Sequence, residues 1–187
     1  MRVNFLLYST LIILLSSFIS DKHGFHSIQS EKIIISKGKV GELQIGMTLA
    51  DGRALMKEYD EKSYDSNTFG IGGGSTAYFY SQNGDSILAL IPNSKGELKY
   101  IQVFSTNYQT TSGIKPNSSL GDLLKVYPDL ELKSNLMTNN EYFKDVENNF
   151  SFVFMTNEFG NERESNSSEV NGNQIDNSEK IDYIQVQ

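Results

Sequence analysis

The chain has 187 residues, a net charge of −7 and no cysteine. Without thiols there is no disulfide, thiolate metal site, cysteine nucleophile or lipidated N-terminal cysteine. The acidic balance argues against nucleic acid and against anionic lipid, both of which demand a basic face. A chain of this length buries about 70 % of its unfolded surface without covalent staples.

Taken in order, residues 1–20 have the layout of a secretory signal peptide: Arg2, then an apolar run from Phe5 to Leu15 continuing through Phe18 and Ile19. The run is shorter than the roughly 20 residues needed to cross a bilayer. The expectation is export to the periplasm or the exterior, with the leader cleaved near residue 20 or kept as an uncleaved N-terminal anchor, and no other membrane contact. Residues 21–37 read as a flexible lead-in ending in a first strand at Ile33–Ile35. Leu43 and Ile45 alternate, and Thr48 then caps a helix over 48–59, with Asp51 facing its unpaired amides. Leu49, Leu55, Met56 and Tyr59 supply its apolar side, and Gly52 weakens it.

The run Gly70–Gly74 marks a turn. Strands are expected over 77–81, 86–91 and 98–105, joined at Asn83-Gly84 and Asn93–Gly96, which is an antiparallel meander. Ser118 or Ser119 then caps a second helix over Leu120, Leu123, Leu124 and Tyr127, with Asp122 in its first turn and Pro128 at its end. Further strands are expected near 131–137, 141–146, 150–156 and 181–186. Residues 157–179 are rich in Asn, Ser and Glu with almost nothing apolar, and are expected to be a disordered insertion.

Two stretches therefore read as copies. Thr48-Leu49-Ala50-Asp51 is matched by Ser119-Leu120-Gly121-Asp122, and Tyr100-Ile101-Gln102-Val103 returns as Tyr183-Ile184-Gln185-Val186. Internal self-similarity decides architecture. The expected fold class is α+β: two tandem repeats, 38–112 and 113–187, each a short helix packed on an antiparallel β-meander, forming one continuous or saddle-shaped sheet.

Strand alternation puts Ile101, Val103, Ile184 and Val186 on the face that meets the helices, and Tyr100, Gln102, Tyr183 and Gln185 on the other. Tyr78 and Tyr80 are expected to join that second face. The candidate partner-binding residues are thus Tyr78, Tyr80, Tyr100, Gln102, Tyr183 and Gln185, since large rigid rings bury area at little entropic cost. Phe104, Phe152 and Phe154 are expected in the core.

An exported tandem repeat, each copy entered through a Gly-x-[ST]-L-x-D-like turn such as Gly46-Met47-Thr48-Leu49-Ala50-Asp51, resembles the β-lactamase-inhibitor-protein-like fold. It is also similar to the single-copy BamE (SmpA) and PepSY modules, whose hallmark is the start Ile45-Gly46-Met47-Thr48. The second copy departs from the pattern, with Pro116 in its turn. The resemblance implies a binding module rather than an enzyme, docking an unidentified protein or cell-envelope component, without cofactor.

The chemistry agrees with that expectation. His23 and His26 both lie in the lead-in, where neither a triad base nor a zinc site is held rigidly. Gly70–Gly74 precedes a strand and lacks the Lys of a phosphate loop. The segment 157–179 lacks the spacing of a calcium loop. Asp51 and Asp122 invite comparison with a glycosidase carboxylate pair, yet each has an adequate task at a helix start. The alternative reading, a carboxylate-dependent hydrolase acting on a glycan or envelope polymer, rests on that pair alone.

Overall fold

The computed structural model describes residues 32–65, 76–135, 140–155 and 176–187. The expected signal peptide, both histidines, the glycine run Gly70–Gly74 and most of the expected insertion, 157–175, lie outside the described residues.

The chain runs β1 (Ile33–Ser36), β2 (Lys39–Val40), β3 (Leu43–Gln44), α1 (Leu49–Leu55), β4 (Asp60–Asp65), β5 (Thr76–Gln82), β6 (Asp85–Pro92), β7 (Leu98–Val103) and β8 (Tyr108–Thr110). It continues through α2 (Leu120–Val126), β9 (Leu132–Asn135), β10 (Asn140–Asp145), β11 (Phe150–Phe154) and β12 (Tyr183–Val186). Eight strands form one antiparallel sheet in the order β4-β5-β6-β7-β12-β11-β10-β9, and four form a smaller sheet, β3-β2-β1-β8, mixed because β1 and β8 run parallel.

This corrects the expected fold class. Among the described residues the protein is mostly β, 49 % strand and 12 % helical, with two helices and one large sheet beside a mixed one, not two helix-on-meander repeats. The reason is local. Each helix is only 7 residues long. Segments for which no strand is expected from the sequence, namely 39–40, 43–44, 60–65 and 108–110, are strands. The recurring Tyr-Ile-Gln-Val segments, moreover, do not head separate units. They are neighbours in the large sheet, paired antiparallel as Ile184↔Val103, Gln185↔Gln102 and Val186↔Ile101.

Both helix starts are built alike. The Thr48 hydroxyl accepts from the Asp51 amide at 3.2 Å and donates to the Asp51 carboxylate at 2.6 Å. Ser119 does the same with Asp122 at 3.0 and 2.7 Å. Each cap satisfies a backbone donor that a helix end leaves unpaired. The caps also tie the helices to the sheet's central strands: Thr48 bridges Glu97 just ahead of β7, and Ser119 bridges Lys180 just ahead of β12.

One core lies between the layers. Ile35, Val40 and Leu43 of the small sheet, Leu120 and Leu123 of α2, and Leu88, Leu90, Ile101, Val103, Phe152, Phe154, Ile184 and Val186 of the large sheet belong to one buried cluster. Gly52 lets α1 approach closely: a Cβ there would sit 3.1 Å from Leu90 Cδ1 and 3.2 Å from Leu98 Cδ1. Both helices and the small sheet therefore cover the same face of the large sheet, here called the inner face. A second, smaller apolar cluster of Ala77, Ala89 and Ile91, with Phe79, Tyr100 and Phe104 packed against it, lies on the outer face.

Candidate functional site

Register decides which face each candidate side chain occupies, because residues directly opposite in an antiparallel pair share a face. Tyr78 opposes Leu90 and Tyr80 opposes Leu88, and these in turn oppose Ile101 and Val103. Tyr78 and Tyr80 therefore stand on the inner face, which corrects the expectation that they join the tyrosines of the other side. Ala77-Tyr78-Phe79-Tyr80 is aromatic at both parities, so alternation within β5 does not choose a face. Its pairing with β6 does.

Tyr80 is buried, and its hydroxyl donates to Glu61 Oε2 at 2.8 Å. Glu61 in turn takes a forked pair from Arg53, Nε to Oε2 at 2.9 Å and Nη2 to Oε1 at 2.6 Å. The Arg53 guanidinium also lies 5.3 Å from the centre of the Tyr78 ring. Burial first, then the bond to Glu61, pushes the Tyr80 hydroxyl well above the ordinary phenol range. This cluster fastens α1 to the edge strand β4, and it is a structural joint.

Tyr100, Gln102, Tyr183 and Gln185 do share the outer face. Gln102 and Gln185 are directly opposite, and Gln102 Nε2 donates to Gln185 Oε1 at 3.1 Å. Gln102 is 2 % exposed, so the amide pair forms the floor of the face rather than its rim. Tyr183 is 7 % exposed, and burial pushes its hydroxyl up to about 12 against the opposing effect of a hydrogen bond with Asn140. Tyr100 is half-buried, with the Lys99 ammonium 4.9 Å from its ring centre.

Tyr64, Phe79 and Phe104, none of them among the expected site residues, also belong to this face. Tyr64, Phe79, Phe104 and Tyr183 form a chain of rings across the strands, with centroid separations of 5.5, 5.8 and 5.4 Å. Phe104, expected in the core with Phe152 and Phe154, belongs here, while the other two are fully buried on the inner side. The register also draws one straight row over seven strands: Lys62, Phe79, Ala89, Gln102, Gln185, Ser151, Lys144. Lysine stands at both ends and the glutamine pair near the middle. Lys62 and Tyr64 carry no sequence signal of their own, because DEKSYD at 60–65 has no apolar alternation to mark it as a strand.

Asp51 and Asp122 sit at the two helix starts, each engaged by its cap hydroxyl. Asp122 is also 3.2 Å from Lys125, and the Ser119 hydroxyl followed by Lys125 holds its carboxyl below the usual range. A shallow groove of about 570 Å³ lies beside that helix start, lined by Ser119, Gly121, Leu124, Lys125 and Asn177. Among the described residues no group of His, Asp or Glu is placed to hold a metal ion, and no helix is long and apolar enough to cross a membrane.

No protein-family model matches the chain, and no curated protein matches it. Among solved structures, the crystal structure of the uncharacterized protein yfeY from Escherichia coli is similar, with a TM-score of 0.56 at 14 % identity, covering 83 % of this chain and 99 % of that one. At that identity the likeness concerns the fold alone.

Proposed function

We propose that the protein is an exported, non-enzymatic binding module that docks a protein or cell-envelope partner through the outer face of its large sheet. One observation carries this reading. The Gln102–Gln185 amide pair sits at the centre of a sheet face framed by Phe79, Tyr100, Phe104 and Tyr183, while both helices and the small sheet occupy the opposite face. The half-buried rings of Phe79, Tyr100 and Phe104 around a polar floor suit a docking surface: the rings supply contact area, and the floor supplies donors and acceptors that fix a partner's register. The paired carboxylates of the alternative reading, Asp51 and Asp122, each accept a hydrogen bond from the cap hydroxyl of their own helix.

The test is capture of a partner from the envelope and secreted fractions of the producing cell, with Tyr100→Ala and Gln185→Ala as variants. Each is expected to weaken capture by about 2 kcal/mol if it is a hot spot, with the melting temperature held within a few degrees. Undiminished capture by both variants would remove the outer face from the reading.

A further inference from the structure

The large sheet separates charge between its faces. At its paired positions the acids Glu61, Asp65, Glu141 and Asp145 share the inner parity with Tyr78, Leu88 and Phe143, as does Asp85, which opposes Gln82 beyond the β5–β6 bulge. The outer parity carries Lys62, Lys133 and Lys144, with Asp60, at the first position of β4, as the one acid. In a chain of net charge −7 that distribution runs against composition. Six strand spacings of about 4.8 Å separate Lys62 from Lys144 along the row, a span of about 29 Å. Lys133 stands opposite Tyr142, one position over from Lys144.

From this we infer that the outer face takes an acidic protein surface: an apolar patch seated on Phe79, Tyr100 and Phe104, with carboxylates meeting Lys62 at one end and Lys133 and Lys144 at the other. The inference rests on the docking reading above and adds the chemistry of the partner. Charge complementarity sets the sign. The rings choose between anions. Phe79 and Phe104 stack on each other, at 26° and 5.8 Å, and the Tyr100 ring is already occupied by the Lys99 ammonium. Ring faces engaged in this way leave edges, not flat platforms, which fit apolar side chains better than sugar or base planes. Few, widely spaced lysines on an acidic chain are likewise a poor match to the dense charge of nucleic acid.

The probe is the random copolymer poly(Glu,Tyr), titrated against the full chain by fluorescence anisotropy at low and high salt, beside poly-L-glutamate, polygalacturonate and a single-stranded DNA oligomer. Poly(Glu,Tyr) is expected to bind tightest and to weaken with salt. The double variant Lys62→Gln/Lys144→Gln should raise its half-saturating concentration about tenfold, and Lys57→Gln, on the helix side, should leave it unchanged. Tighter binding of polygalacturonate or DNA with the same lysine dependence would overturn the protein partner. Equal binding by the double variant would overturn the role of charge. If Phe104→Ala weakens binding and the lysine pair does not, the docking face stands and this inference fails. If neither matters, both fail.

Discussion

Tyr80 on β5 and Tyr100 on β7 lie two strands apart in one sheet, are the same residue type, and have opposite surroundings. Tyr80 is sealed on the inner face with its hydroxyl fixed by Glu61, whereas Tyr100 is half-buried on the outer face with a lysine over its ring. The same division holds for charge at the paired positions, acids inward and lysines outward apart from Asp60, but not for amides, since Gln102 is buried although it stands on the outer side. The difference teaches that residue type does not assign a face in this protein. Position in the ladder does, and the large aromatics are used on both sides.

That contrast is most easily broken by truncation. Tyr80→Ala should cost about 3–4 kcal/mol in urea unfolding, because it opens a cavity in the core and removes the hydroxyl from Glu61. Tyr100→Ala should cost under about 1 kcal/mol. Equal losses would erase the distinction between the faces.

Alkaline titration sharpens it next. Tyr183 has its hydroxyl raised from the ordinary value of 10 to about 12, chiefly by burial, and Tyr108 is likewise raised to about 12 by burial and its neighbour Tyr59. A raised phenol stabilises the fold fully below pH 10 and loses that contribution as pH climbs through the folded value. Stability should fall as pH rises above 10, and Tyr183→Phe should flatten the fall by something on the order of 1–2 kcal/mol, with Tyr108 and Tyr80 responsible for the remainder.

Smaller effects belong to the caps. Ser119→Ala and Thr48→Ala should each cost about 1 kcal/mol by thermal or urea unfolding. Because the Ser119 hydroxyl is the main cause of the lowered Asp122 carboxyl, Asp122 stabilises the fold above its ordinary value of 3.8 and ceases to do so as pH falls through the lowered one. In Ser119→Ala the urea midpoint should therefore depend less on pH on the acid side. The smallest effect is expected on the outer rim, where Lys62→Gln and Lys144→Gln should each change stability by less than about 0.5 kcal/mol while altering binding of anionic probes.

Much of the local structure is legible in the sequence. Thr48 and Ser119 announce their helices through cap chemistry. Asn83-Gly84 makes its hairpin through residues that tolerate positive φ, here 54° and 89°. The parity of Ile101, Val103, Ile184 and Val186 follows from simple alternation. The larger architecture is not legible, because it depends on pairings between distant segments. Nothing in Asp60–Asp65 marks it as a strand: all six residues are exposed and polar or charged apart from Tyr64, and only its ladder to β5 reveals it. Nor does the recurrence of Tyr-Ile-Gln-Val disclose that the two copies pair with each other. The site suffered from the same gap. Residue type alone places Tyr78 and Tyr80 with the other tyrosines, and the register of β5 against β6 moves them inward, while Phe79 and Phe104 take the outer positions.

The seam at the middle of the large sheet has a consequence for assembly. β7 and β12 carry the same four letters and meet head to tail, so this segment is its own complement. In a partly unfolded molecule, with β12 displaced, the bared edge of β7 is a template that β7 or β12 of a second molecule fits letter for letter, with the glutamines again opposite one another. Concentrated refolding should then yield strand-exchanged dimers alongside monomer. Breaking the identity of the two copies, by Gln185→Thr for instance, would favour the pairing of unlike strands within a single chain.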